Sequence, residues 1–343
     1  MKCKTSLLSA AAFAAFALTA GTAGAADLTI SLWGGGYGER FTNNYVKPFE
    51  EAHGVEIAID GGRSSERLSK LIATKGRGVD LIFLSDFQMY EAYSRNLISN
   101  VTVENVPNRA NLRDFAKDPM GGDSCPAFVV LGAGLAYNTD EFGDTPPTSW
   151  SDILRDDLAG KAGYPDIGIS YATLLAIQMS ELNGGDITNI AAGFDALHAS
   201  RDNLQFFASR EVLESVVRGD VSLAPQLNIF VKKEDGVPMD FAWPDEGGLG
   251  VLNLMCAVQG SKNTELAEKF MNYMLSDEVQ NRLLNESGET PVSANVDMSG
   301  AAEMPRNVLT LEEMDNLNFW DMKTIAESKA DWVELWQETV IAN

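Results

Sequence analysis

The sequence is poor in histidine and cysteine, and it lacks the motifs in which these residues bind metals or act in catalysis. It has two histidines and three cysteines among 343 residues. Neither CxxC nor HExxH occurs, so the usual zinc-site patterns are absent. His53 stands beside Gly54 at a polar helix end and His198 stands late in a second helix, which leaves few candidates for a histidine-based triad. We therefore expect a protein without a metal, a cofactor or an enzymatic activity.

Positive charge is also scarce. The chain has 26 basic residues against 49 acidic ones and a formal net charge of −23. Nucleic acid is excluded as a partner because a phosphate backbone requires a basic face, and docking on anionic lipid is disfavoured for the same reason. The acidic excess favours solubility, and it also permits attraction of a cationic ligand.

The apolar run at the start of the chain has the pattern of an export signal. Lys2 and Lys4 precede an apolar stretch over residues 7–18, and Ala23-Gly24-Ala25 forms a small-residue cleavage site. The stretch is too short to span a bilayer, which needs about 20 apolar residues in a helix. We therefore predict a cleavable signal peptide over residues 1–25 and a periplasmic location. The remainder is long enough for two lobes, since a domain has roughly 100–200 residues.

Cys3 lies in the predicted signal peptide, so cleavage leaves two cysteines, Cys125 and Cys256. An even pair in an oxidising compartment is consistent with a disulfide that closes a very long loop. Two separate buried thiols are the alternative, and both interpretations stay open at this point.

Short strands alternate with amphipathic helices, which is typical of the α/β class. A strand over residues 28–32 ends in Trp33-Gly34-Gly35-Gly36-Tyr37-Gly38, and a helix is predicted over 39–49. A buried strand over 79–84 ends in Ser85-Asp86-Phe87. Ligands of open α/β folds bind at the carboxyl ends of the strands, so both segments are candidate binding loops.

Two long apolar segments, residues 127–135 and 250–258, predict strands that cross between the lobes. The glycines within them favour long, bending strands over helices. Near the end of the chain, helices are predicted over 311–319 and 322–340.

Six segments in the same order resemble the periplasmic solute-binding proteins of ABC importers, specifically the spermidine/putrescine-binding branch. They are Leu32-Trp33 and residues 132–139, 148–154, 158–163, 243–248 and 267–275. The resemblance implies a bilobal type II periplasmic-binding-protein clamshell with two crossing strands. Lobe 1 would comprise residues 26–130 plus 254–302, and lobe 2 residues 131–253 plus 303–343. Cys125 and Cys256 would then lie near the two crossings, which favours the disulfide.

The resemblance also implies a ligand site, in which aromatic rings stack on the ligand and carboxylates pair with its ammonium groups. Trp33, Tyr37, Ser85, Phe87, Asp166 and Trp243 match positions of the family pattern. For each aromatic residue, packing in the core is the alternative interpretation. The full candidate set is Trp33, Gly35, Tyr37, Ser85, Asp86, Phe87, Asp166, Ser170, Gln226, Trp243, Asn253 and Glu289.

The sequence departs from the polyamine-binding pattern at three places. Asn253 replaces an aspartate, Pro225-Gln226 replaces a Trp-Asn motif, and Ile169-Ser170 replaces a glutamate. These changes weaken two anionic contacts and one aromatic wall, so we expect a diamine, with two ammonium ends, to bind poorly. Asp86, Asp166, Asp220 and Glu289 offer carboxylates in another arrangement, while Gly34-Gly35-Gly36 offers backbone N–H groups that suit a carboxylate or phosphate.

These features predict a monomeric receptor that binds a small-molecule ligand by lobe closure and serves a membrane ABC permease. The expected ligand carries an amine and is either polyamine-like or zwitterionic. A receptor for a carboxylate, another anion or Fe(III) on the same fold is the alternative. Iron has little support because the chain has eight tyrosines and no Tyr-Tyr pair.

Overall fold

The structure is a computed structural model that describes residues 26–207, 211–231, 234–304 and 308–342. The predicted signal peptide, residues 1–25, lies outside the described residues. Within the described part of the chain, no helix is both long and apolar enough to cross a membrane.

Strands and helices alternate along the described chain, as the sequence predicts for the α/β class. The strands are β1 Leu28–Trp33, β2 Ile57–Gly62, β3 Leu81–Ser85, β4 Ala127–Asn138, β5 Ala162–Pro165, β6 Leu204–Phe207, β7 Leu223–Leu227, β8 Met239–Ala242, β9 Gly248–Ala257, β10 Thr290–Pro291 and β11 Leu317–Asn318. The α-helices are α1 Gly35–Phe41, α2 Lys47–His53, α3 Ser64–Thr74, α4 Asp86–Ser94, α5 Asp114–Lys117, α6 Thr139–Phe142, α7 Ser170–Leu182, α8 Ala191–Ala199, α9 Val212–Arg218, α10 Thr264–Met274, α11 Asp277–Arg282, α12 Leu311–Asp315 and α13 Met322–Trp336.

The strands join in one continuous sheet whose central members are β4 and β9. The strand order is β2-β1-β3-β9-β4-β7-β5-β6, with β8 and β10 on β4 and β11 on β9. β1 pairs in parallel with β2 and β3, and β5 pairs in parallel with β6 and β7. Two parallel groups are thus joined by an antiparallel centre, which brings the carboxyl ends of each group toward the middle of the molecule.

β4 and β9 are the two crossing strands that the sequence predicts over residues 127–135 and 250–258. All 12 residues of β4 are buried, and in β9 only Asn253 is partly exposed. β4 runs antiparallel to β9 in its first half and to β7 in its second half. Burial on both faces explains why the two strands appear as nearly continuous apolar runs in the sequence.

The apolar core is divided in two where these strands cross. Val130 packs in one cluster with β1 and β3, whereas Leu131 packs in the other with α7 and α13. On β9, Leu252 belongs to the first cluster and Val251 to the second. Two cores joined by two shared strands are the physical basis of a two-lobed molecule. The assignment of residues 26–130 plus 254–302 to one lobe and 131–253 plus 303–343 to the other stays a proposal.

A disulfide joins Cys125 to Cys256, as the resemblance favoured. The two Cα atoms are 5.3 Å apart, and both residues are fully buried. Cys125 lies just before β4 and Cys256 lies near the end of β9. The bond therefore fastens the two crossing strands together on the side of the first core.

The helix predicted over residues 311–319 is wrong beyond Asp315. α12 ends there, and Leu317–Asn318 forms β11, which pairs in parallel with the start of β9. The Asn318 side-chain amide donates to the Glu246 backbone oxygen at 2.8 Å. Pairing with β9 and this long-range bond override the local helix propensity, because tertiary partners decide the conformation of so short a segment.

Candidate ligand-binding cleft

Three parallel strands of the first lobe end side by side and supply one wall of the candidate site. β1 ends at Trp33, β2 ends at Gly62, and β3 ends at Ser85. The approach is close, because a Cβ on Gly34 would lie 3.3 Å from the Gly62 backbone nitrogen. These are the strand ends at which α/β sheets bind ligands.

Trp33 is half-buried and held by contacts on several sides. Its Nε1 donates to the Ser64 Oγ at 2.9 Å. The Arg67 guanidinium carbon lies 5.0 Å from the centre of its ring, and the Tyr37 ring meets it edge-on at 5.7 Å. Phe128, at the start of β4, completes the packing at 6.4 Å. The indole is therefore fixed in one orientation at the head of β1.

Arg67 is the main residue of this wall that sequence reasoning missed. Although it lies on α3, it is only 3% exposed. Its guanidinium donates to the backbone oxygens of Ser31, Gly62 and Phe83, one on each of β1, β2 and β3. Burial lowers the pKa of Arg67 to about 10, and the charge of Asp60 opposes this shift. A buried arginine therefore ties three strand ends together directly behind Trp33.

Tyr37 and Glu289 form the acidic part of the wall. The Tyr37 hydroxyl is buried, and burial, followed by the neighbouring Glu289 charge, raises the pKa of Tyr37 well above its ordinary value. Glu289 is 5% exposed and precedes β10. Gly35, at the start of α1, has a φ of +64° with open space above it. Trp33, Gly35, Tyr37 and Glu289 are therefore neighbours in space, with the glycine backbone accessible beside the rings.

Ser85 is the last residue of β3, and Asp86 and Phe87 are the first residues of α4. The Asp86 carboxylate accepts hydrogen bonds from the backbone N–H groups of Phe87 at 2.7 Å and Leu252 at 3.2 Å. The second bond links the end of β3 to a crossing strand. Burial raises the pKa of Asp86 to about 6, while the two N–H donors and the Lys329 charge act to lower it. Phe87 is buried, and the Lys329 Nζ lies 4.1 Å from its ring centre.

Lys329 lies on α13 and was not predicted from the sequence as a site residue. Burial lowers the pKa of Lys329 to about 8, whereas Asp86 and then Glu91 raise it. Lys329 therefore places a positive charge over the Phe87 ring and near the Asp86 carboxylate, both of which follow β3 in the chain.

Replacing Lys329 by methionine is expected to raise the pKa of Asp86 above about 6, because the nearest stabilising cation is removed. The unfolded value is about 3.9, so protonation of Asp86 stabilises the fold. This contribution is present below about pH 4 and is lost as the pH rises through the folded value. NMR titration of the Asp86 carboxyl carbon measures the midpoint directly. A midpoint that stays or falls in Lys329→Met contradicts the assignment, and Lys323→Met, an exposed change on the same helix, serves as the control.

A further group of candidates lies on the side of the second core. Asp166 follows β5, and its Oδ1 accepts a hydrogen bond from the Gly168 N–H at 2.9 Å. Ser170 is half-buried as the first residue of α7. The next residue, Tyr171, donates its hydroxyl to the Gln226 Oε1 at 3.3 Å. Gln226 lies near the end of β7 and is 1% exposed, and its Nε2 has no hydrogen-bond partner among the described residues.

Two candidate residues of the crossing lie on opposite faces of the sheet. Asn253 is directly opposite Ser85 on β3, so these two side chains share a face. Trp243 instead covers the glycines of the other face, since a Cβ on Gly132 would lie 2.6 Å from its ring. Its Nε1 donates to the Glu313 Oε1 at 2.6 Å. The geometry favours packing of Trp243 against the crossing, and its role as a ligand wall stays a prediction.

The structure thus gathers the candidates into three groups. Trp33, Gly35, Tyr37 and Glu289 form the first, Ser85, Asp86, Phe87 and Asn253 the second, and Asp166, Ser170 and Gln226 the third. Asp220 is not among them, because it forms an exposed ion pair with Arg218 at 2.8 Å. Within the described part of the chain, no group of three His, Cys, Asp or Glu residues is placed to hold a metal ion. The ligand-binding role of each candidate stays a prediction.

Comparison with known proteins places this arrangement in context. Residues 76–317 match the family described as "Bacterial extracellular solute-binding protein". The spermidine/putrescine-binding periplasmic protein 1 of Haemophilus influenzae is 23% identical, over 71% of this chain and 70% of that protein. An ABC transporter from Clostridium perfringens, known from a crystal structure, is 24% identical in sequence. The two structures superpose with a TM-score of 0.80, and the match covers 91% of this chain and 99% of that one.

A second solved structure shows that the fold leaves the ligand open. The periplasmic binding protein AfuA from Actinobacillus pleuropneumoniae, with fructose-6-phosphate bound, is 18% identical. Its TM-score is 0.74, and the match covers 92% of this chain and 99% of that one. The predicted two-lobed, type II periplasmic-binding-protein fold is confirmed. Because one fold serves different ligands, the ligand has to be argued from the side chains of the site.

Proposed function

Because the chain belongs to the family of bacterial extracellular solute-binding proteins, we propose that it is the periplasmic receptor of an ABC importer. In this proposal it captures a small amine-bearing solute, polyamine-like or zwitterionic, and presents it to a membrane permease. The similar protein from Haemophilus influenzae is named for binding spermidine and putrescine, which supports an amine as the ligand. We propose that the receptor acts as a monomer.

The observation that carries the proposal is the grouping of Trp33, Tyr37 and Glu289 at the carboxyl ends of parallel strands. Two aromatic rings 5.7 Å apart, with a buried carboxylate beside the second, form a wall that suits an organic amine. The rings contact the hydrocarbon part of the ligand, and the carboxylate pairs with its ammonium group.

Lobe closure provides the mechanism. Trp33 and Glu289 belong to the side of the first core, and Asp166 and Gln226 belong to the side of the second. A solute that contacts both walls binds more tightly when they are close together, and it therefore shifts the population toward the closed state. The permease would recognise this closed shape.

A carboxylate or another anion is the second candidate ligand, and Gln226 favours it. Its buried Nε2 has no partner among the described residues, and an acceptor oxygen of a ligand would satisfy it. Fe(III) receives no comparable support from the side chains of the described site. Enzymatic turnover is not part of the proposal, and the similar proteins are named as binding or transport proteins.

Isothermal titration calorimetry with the exported, disulfide-bonded protein tests the proposal. We expect one binding event per chain with at least one of the polyamines, amino acids or other organic amines. Galactose, fructose-6-phosphate and inorganic phosphate serve as matched non-amine probes. Heat with a sugar or an inorganic anion, and none with any amine, would overturn the amine assignment. Chemical conversion of the bound compound during long incubation would show turnover and would contradict the receptor role.

A further inference from the structure

We propose that Arg67 is a specificity-determining residue. Its positive charge makes the Trp33 wall unfavourable for ammonium groups and favourable for the anionic end of the ligand. The solute would then be a zwitterion, with a carboxylate near Trp33 and an ammonium group near Glu289, and a diamine would be discriminated against. This inference rests on the proposed function and narrows its ligand class.

The first observation is that both aromatic rings of the wall already have a cation of the protein beside them. The Arg67 guanidinium carbon lies 5.0 Å from the Trp33 ring centre, and that of Arg40 lies 6.0 Å from the Tyr37 ring centre. A ring attracts a cation through the negative charge of its faces. The Arg67 guanidinium already interacts with the Trp33 ring. A ligand ammonium on the free part of the ring would therefore bind with less cation–π energy, and the like charge of Arg67 would repel it.

The second observation is that Arg67 is held in place. It is 3% exposed, and its guanidinium donates to backbone oxygens at the ends of three strands. Its Nη2 also donates to the Ser64 Oγ at 3.2 Å, the same oxygen that accepts the Trp33 Nε1 hydrogen. An exposed arginine can change its rotamer when a ligand binds. Burial and these hydrogen bonds hold the Arg67 side chain in one position.

The third observation is that the charge of Arg67 has little compensation. Across residues 26–207, 211–231, 234–304 and 308–342, no carboxylate lies within 4.0 Å of its guanidinium. Asp60 acts on it from further away, and one oxygen of Asp60 is bound by Lys70 at 2.6 Å. A cation that is fixed, buried and weakly paired attracts an anionic ligand group at this end of the wall.

The candidates on the side of the second core agree with this polarity. The Gln226 Nε2 is buried and has no hydrogen-bond partner among the residues that the structure describes, so this N–H group can donate to a carboxylate but not to an ammonium. Glu289 remains as the buried carboxylate beside Tyr37 that can accept the ammonium end. The described charges thus fit one positive and one negative end of the same molecule.

The size of the discrimination follows from the charge geometry. Cations on two sides of one ring are roughly 10 Å apart, given stacking distances of about 5–6 Å on each side. At an effective dielectric constant of about 20, their repulsion corresponds to about a tenfold loss of affinity. A carboxylate in the same place would gain by a similar factor.

Matched pairs of ligands test the inference by calorimetry. Each pair is an α,ω-diamine and the ω-amino acid of the same carbon number, such as 1,4-diaminobutane and 4-aminobutanoate, over three to six carbons. For the best-fitting pair we expect the wild type to bind the amino acid at least tenfold more tightly. Arg67→Met should shift this ratio about 100-fold toward the diamine, because the loss for the ammonium and the gain for the carboxylate both disappear. Arg67→Lys keeps the charge and should preserve the ratio.

Arg109 supplies the matched control variant. It is also 3% exposed and donates to backbone oxygens, those of Val101 and Lys117, but it lies away from the strand ends of the site. Arg109→Met is expected to lower stability and to leave the ligand ratio unchanged. A merely structural role for Arg67 would make Arg67→Met behave in the same way.

The outcomes separate this inference from the proposed function. A wild type that binds diamines as tightly as amino acids overturns the role of Arg67 while the amine receptor stands. A protein that binds no amine but binds a sugar or an inorganic anion overturns both. If Arg67→Met does not fold, the wild-type ratio across the matched pairs decides the question without it.

Discussion

Reduction of the Cys125–Cys256 disulfide is expected to lower the free energy of unfolding by about 5 kcal/mol. The bond spans 131 positions of sequence, and a cross-link that closes so long a loop removes much of the conformational entropy of the unfolded chain. For a chain of this size, the loss corresponds to a fall in melting temperature of about 7 °C. Calorimetric scans with and without dithiothreitol measure the change.

The double variant Cys125→Ala with Cys256→Ala separates the cross-link from other effects of the reductant. It should melt near the reduced wild type, and dithiothreitol should not change it further. Thiol titration confirms that the wild-type bond has been reduced. A reduced wild type that melts within about 1 °C of the oxidised one would show that the bond does not constrain the unfolded chain.

Replacement of Trp33 by alanine is expected to reduce ligand affinity by about 100-fold or more and to abolish the ligand-dependent rise in melting temperature. The indole supplies the largest apolar surface of the proposed wall, and it is fixed there by Ser64, Arg67 and the Tyr37 ring. The variant should also lose about 2–4 kcal/mol of stability, because Trp33 packs against Phe128. Calorimetry measures the affinity, and thermal unfolding without ligand measures the stability.

Trp320→Ala is the matched control for this variant. Trp320 packs against the second core and donates its Nε1 to the Glu181 Oε1 at 2.8 Å, so its loss should affect stability more than binding. Trp33→Phe retains a ring and should lose less affinity than Trp33→Ala. If the ligand-dependent shift is undiminished in Trp33→Ala, Trp33 serves packing alone and the proposed wall is wrong.

Local sequence patterns predicted the parts of the fold whose environment is uniform. β4 and β9 were recognisable because strands buried on both faces need apolar residues at nearly every position. The end of β1 at Trp33 was recognisable because alternating residues are followed by a run of glycines in the sequence. The expected loop is almost absent, because α1 begins at Gly35 and not at residue 39. Segment 311–319 was mispredicted because its last part pairs with β9, whose position is set far away in the chain.

Arg67 shows why part of the candidate site could not be predicted. In the sequence it occupies an ordinary position in a helix with a polar start, and nothing nearby indicates burial. Its partners are backbone oxygens, which have no sequence signature, and two of them lie 16 and 36 residues away. Lys329 was missed for the same reason, since its contact with Phe87 and its charge interaction with Asp86 join two distant segments of the chain.

The sequence by itself determined the α/β class, the two crossing strands, the cysteine pair and the strand that ends at Trp33. Each of these depends on residue type and short-range order, which periodicity, turn residues and composition report directly. Only the tertiary structure decided the polarity of the site, because polarity depends on which charges are buried near which rings. Folding placed the Arg67 guanidinium 5.0 Å from the Trp33 ring centre and left the Gln226 Nε2 without a hydrogen-bond partner among the described residues. On this arrangement we base the proposal of a zwitterionic ligand.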